Sequence, residues 1–81
     1  SCIMKGGKVT GILRDTWKDV TFTTPFPTGV IPIVVATADS SVLGSSAANI
    51  NIKGVSNTGF RIRGQQDVDA QYIANSPSCF S

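Results

Sequence analysis

The sequence predicts an all-β domain, a six-stranded antiparallel β-sandwich, and three observations carry that expectation. Apolar and polar residues alternate with a period of two in several short runs, which gives a strand one buried and one wet face. Turn-forming Gly, Pro, Asn and Asp recur roughly every eight to twelve residues between those runs. No stretch shows the 3.6-residue period of a helix. The 81 residues make a single domain, 1–81. A chain this short is only marginally stable unless a disulfide or partner subunits add to its core.

Residues 2–10 hold Ile3, Met4 and Val9 around Gly6 and Gly7, and read as a weak strand bulged at the glycines. Residues 11–16 form a connection in which one of the adjacent pair Ile12 and Leu13 packs inward. Residues 20–37 read as strand, turn, strand. Val20 and Phe22 alternate with Thr21 and Thr23, and Pro25, Pro27 and Gly29 make the turn. Residues 31–36 are apolar on both faces and rich in β-branched side chains, the pattern of a strand covered on both sides at the centre of the core. Pro32 has no N–H to give a ladder, so that strand starts near Ile33. Trp17 has the opposite parity from Val20 and Phe22. Either a bulge turns it inward to cap the core, or it is an exposed aromatic contact.

Residues 38–48 form a small-residue loop with Val42 and Leu43 as its pins. In residues 49–53, Ile50 and Ile52 share one face while Asn49, Asn51 and Lys53 share the other. Residues 54–59 supply the turn chemistry of a hairpin, after which Phe60 and Ile62 face the core and Arg61 and Arg63 face outward. Residues 64–67 make a second turn. On the last strand, 68–74, Val68, Ala70 and Tyr72 share a face opposite Asp69 and Gln71. Residues 75–81 are a polar tail, tied down only if Cys79 is bridged.

Composition narrows the function. The chain has no His and no Glu, so its serines lack an activating base and zinc lacks ligands; neither an enzyme nor a cofactor site is expected. Asp67 and Asp69 point the same way at a strand start, as a Ca²⁺ pair or, more simply, as two solvated turn acids. Seven Lys and Arg give a net charge of only +2 with no block of like charge, which argues against nucleic acid. No apolar run reaches the roughly 18 residues of a membrane helix, and the start lacks the order of a signal peptide. A chain beginning at Ser1 reads as a processed protein or a piece of a longer one. Cys2 and Cys79 lie one at each end, where they either bridge or remain two thiols in frayed termini. A bridge is expected, and with it an oxidising or extracellular setting.

What remains is a polar outward face. Asn49, Asn51 and Lys53 pair across the hairpin with Arg61 and Arg63, and the turn adds Gln65, Gln66 and Asp67. Neutral amides, guanidinium groups and a carboxylate are the donors and acceptors that sugar hydroxyls require. The candidate saccharide contacts are therefore Asn51, Arg61, Arg63, Gln65, Gln66 and Asp67.

Five pieces in order also resemble a known family: Trp17-Lys-Asp-Val-Thr-Phe22, Pro25-Phe26-Pro27, the apolar run 31–36, Val55-Ser-Asn-Thr-Gly-Phe60 and Tyr72-Ile-Ala74. They resemble the H-type lectins and the similar C-terminal domains of phage tail fibres. The resemblance implies a six-stranded sandwich that forms a homotrimer and binds cell-surface glycan at an exposed end, either secreted or on a virion tail fibre. In the snail-type lectins an Arg on the strand before the hairpin and a Trp-His pair in the loop after it hold the sugar. Here Asn51 stands in place of that Arg and the loop reads Gly64-Gln-Gln-Asp67, so their sugar specificity does not carry over. The competing expectations are a structural trimerisation module at a fibre tip and a small secreted interaction domain unrelated to glycans.

Overall fold

A computed structural model describes residues 1–39 and 49–81 of the protein. Among the described residues there are six strands: β1 (Met4–Ile12), β2 (Lys18–Thr21), β3 (Ile33–Asp39), β4 (Ile50–Lys53), β5 (Gly59–Gly64) and β6 (Val68–Asn75). A 3-10 turn, Pro77–Phe80, follows them. The strands form two three-stranded antiparallel sheets, ordered β1-β6-β3 and β2-β5-β4. The expected loop pins Val42 and Leu43 lie outside the described residues.

The inner faces of the two sheets meet in one apolar cluster. Val9 and Ile12 of β1 and Ala70 and Ala74 of β6 enter it from one sheet, Phe60 and Ile62 of β5 from the other. The aromatic rings join the layers. Phe60 meets Tyr72 of β6 edge-on with centroids 5.1 Å apart, and Phe22 meets Phe26 likewise at 5.2 Å. Such pairs contribute about 0.5–1.5 kcal/mol each beyond their buried area. Phe26 belongs to the turn between Pro25 and Pro27, yet it is 1% exposed. The Phe26 N–H donates to the Asn57 carbonyl (2.8 Å) and its own carbonyl accepts from Asn57 Nδ2 (3.2 Å). This clip closes the end of the core as the chain passes from β2 in one sheet to β3 in the other.

The bulge in β1 falls at Thr10 and Gly11, not at Gly6 and Gly7 as expected. Val9 pairs with Ala70 but Ile12 with Val68, so β1 has one residue more than β6 over that interval, and Gly11 takes a φ of 71°. The extra residue lets Val9 and Ile12, which have opposite parity, both face inward, while Leu13 is exposed. The earlier glycine is there for close approach instead. A Cβ on Gly7 would lie 3.0 Å from the Tyr72 ring.

A second correction concerns β3. It starts at Ile33, with Pro32 buried just before it, but it is not covered on both sides. β6 takes the middle of the sheet because both β1 and β3 pair with it, and among the described residues β3 pairs with β6 alone. Val34 and Ala36 pack inward, while Ile33 is 47% and Val35 63% exposed. Ile73 of β6 lies opposite Val35, and Met4 and Ile33 flank Asn75 in the next row, so exposed apolar side chains gather on this outer face around one amide. Beside it, Lys8 Nζ reaches Asp39 Oδ2 across β6 at 3.1 Å.

The termini are tied rather than frayed. Cys2 and Cys79 form a disulfide just beyond the first rung of the β1–β6 ladder, Met4 opposite Asn75. The Ser76 N–H donates to the Ile3 carbonyl, Ser76 Oγ accepts the Ile3 N–H, both at 2.9 Å, and Ser78 Oγ donates to the Ser1 carbonyl. A bridge spanning 77 positions stabilises by about 4–5 kcal/mol in the chain-entropy account. No helix of the described residues is long and apolar enough to cross a membrane.

Candidate ligand-binding face

The hairpin β4–β5 places Asn51 opposite Arg63 and Lys53 opposite Arg61, and β2 brings Asp19 to the other side of Arg61. These residues share parity and point away from the core, because their neighbours Ile52, Ile62 and Val20 point into it. Trp17 comes one residue before β2, where Lys18 pairs with Ile62, and so lies level with Arg63. The β2–β5 register runs without a bulge, which leaves the indole on this outer face, outside the apolar cluster.

The indole is a platform for two cations. Lys53 Nζ lies 4.2 Å and Arg63 Cζ 4.9 Å from the ring centroid. Each contact is worth about 0.5–1 kcal/mol at an exposed site. Arg61 Nε donates to Asp19 Oδ1 at 3.0 Å, but both side chains are well exposed and such a pair adds little to stability. At the rim, Asn49 Nδ2 donates to Gln65 Oε1 at 3.0 Å, tying the turn after β5 to the start of β4. The result is a half-covered aromatic ring beside an exposed amide, Asn51, with guanidinium and ammonium groups within reach.

Of the expected saccharide contacts, Asn51, Arg61 and Arg63 stand together on this face. Gln65 is at its rim, held by Asn49, and Gln66 is half-buried. Asp67 is engaged elsewhere. Its Oδ1 accepts the Arg14 N–H at 2.8 Å, and Asp69 Oδ1 accepts the Gly11 N–H at 3.1 Å. The two acids that read as a Ca²⁺ pair or as solvated turn groups thus clamp the bulged end of β1 to the start of β6. Among the described residues no group of three or more His, Cys, Asp or Glu is placed to hold a metal ion. Lys53 and Trp17 are the members that the reading of single motifs left off the contact set, although strand parity gives both the outward direction.

All five Asp side chains of the chain lie among the described residues, and each has an observed partner. Asp15 meets Arg14, Asp19 meets Arg61 and Asp39 meets Lys8, while Asp67 and Asp69 take backbone N–H groups. The remaining cations are Lys5 over the Phe26 ring, Lys18 donating to the Thr10 carbonyl, and the pair Lys53 and Arg63 on Trp17. Comparison of the chain with known protein families, curated proteins and solved structures finds no match.

Proposed function

We propose that this chain is a lectin-like recognition domain that binds cell-surface carbohydrate through the outer face of the β2-β5-β4 sheet. The observation that carries the reading is Trp17 lying level with Arg63 beside Asn51 and Lys53: an aromatic face for pyranose CH groups, rimmed by donors and acceptors for hydroxyls. The resemblance to H-type lectins and tail-fibre tips supports a six-stranded sandwich of that kind, acting outside the cell. The disulfide fits an oxidising compartment. A glycan array tests the reading directly. Trp17→Ala is expected to abolish the hits of the parent chain while the disulfide-bonded fold is kept, with stability lowered by no more than the worth of its two cation contacts, about 1–2 kcal/mol. Hits that survive the substitution would move the site away from this face.

A second reading is favoured by the other sheet. Ile33, Val35 and Ile73 are about half exposed or more on one outer face, where a well-buried strand was expected. Second copies of the chain would complete that cover, and self-association as a trimer, the state the resemblance implies, is the structural role we propose alongside recognition. Sedimentation of the intact chain at micromolar concentration measures it, and a monomer there removes this role.

A further inference from the structure

We infer that the saccharide bound by the Trp17 face carries an anionic group, a carboxylate or a sulfate ester, seated between Lys53 and Arg63; the inference rests on the carbohydrate reading above. Lys53 and Arg63 hold to one ring at 4.2 and 4.9 Å from its centroid, so their charges lie within about one Debye length of each other, roughly 8–10 Å at physiological ionic strength. No Asp is paired with either of them, since each Asp side chain has another observed partner. The two like charges therefore repel each other beside the indole, and an anion that bridges them converts that repulsion into two charge-assisted contacts.

The same geometry discriminates against neutral sugars. A neutral pyranose that stacks on Trp17 must push both cations off the ring and gives them nothing charged in return. An acidic saccharide recruits them to its anionic group, which frees the ring for the sugar's CH groups, and Asn51 is at hand for a hydroxyl. A nucleic-acid strand fits less well. The face has one aromatic platform rather than a series, and Asp19 beside Arg61 repels the next phosphate along a backbone.

The test compares saccharides matched in backbone and differing in charge, titrated against the intact oxidised chain with indole fluorescence as the signal. Polygalacturonate supplies carboxylates and dextran sulfate supplies sulfate esters. Fully methyl-esterified polygalacturonate and dextran are the neutral counterparts, and a 20-nucleotide single-stranded DNA is the competing polyanion. We expect at least one acidic saccharide to bind ten-fold or more tightly than its neutral counterpart. That preference should weaken as salt rises and fall at least ten-fold in Lys53→Gln and in Arg63→Gln, while Lys8→Gln on the other sheet behaves as the parent. Equal binding of neutral and acidic members, unaffected by the two substitutions, overturns the anionic inference and leaves the carbohydrate reading standing. No saccharide binding at all overturns both, and DNA bound as tightly as the acidic saccharides identifies unselective charge attraction and overturns the inference.

Discussion

Asp67 and Asp69 show how a pair of surface acids can serve as fasteners. Asp69 of β6 takes the N–H of Gly11 at the β1 bulge, and Asp67, just before β6, takes the N–H of Arg14, just past β1. Asp67→Ala leaves the Arg14 amide to water and is expected to lower stability by about 1 kcal/mol, read as a shift of the urea midpoint, while saccharide binding is retained. An unchanged midpoint with lost binding would return Asp67 to the ligand. This role was invisible in the sequence because the partner amide is 53 positions away. Arg63 and Asn51, by contrast, were placed by parity alone, since their side of the strand follows from Ile62 and Ile52. Parity gave Trp17 an outward direction but left open a bulge that would turn it into the core, and Lys53 reaches its ring diagonally across the sheet, a contact that no local pattern reports.

At the scale of elements, alternation located β2, β4, β5 and β6, turn residues located the β4–β5 hairpin, and a continuous apolar run after Pro32 located β3. Sheet order escaped, because an apolar run such as 31–36 says that both faces want cover without saying whether the cover comes from the same chain. Phe26 escaped because a period of two has no meaning inside a turn. One tie between elements makes a pH prediction. Asp39 of β3 is held below its ordinary carboxyl value of 3.8 first by the hydrogen bond from Lys8 of β1 and then by one from Gln71, and Lys8 is raised above 10.5 by the same hydrogen bond and the charge of Asp39. A depressed acid contributes above its unfolded value and loses that contribution as pH falls through the lower folded one. A raised amine loses its contribution as pH climbs through the raised value. The melting temperatures of the parent and of Asp39→Asn should therefore differ across the neutral range, and converge only as pH falls through the lowered Asp39 value or climbs through the raised Lys8 value. Curves that stay parallel throughout would show that the pair does not contribute.

The whole molecule presents two unlike outer faces, one polar around Trp17 and one apolar around Val35. A stable partner buries about 800 Å² on each side, and the apolar face of β3 and β6 is the natural centre of such a contact. Val35→Glu is expected to shift the sedimentation of the chain to that of a monomer without loss of its disulfide; an unchanged assembly would place the contact elsewhere. The bridge between Cys2 and Cys79 has a mechanical consequence as well. Only Ser1, Phe80 and Ser81 lie outside it, so tension applied through the two ends runs across the sulfur–sulfur bond and bypasses every strand. Held in a force spectrometer by its ends, the oxidised chain should show no unfolding step, whereas adding a reductant should release a hidden length of about 26 nm, at roughly 3.4 Å per residue. A domain built this way bears load as a short covalent link, with its polar Trp17 face and its apolar face both shielded from the pull.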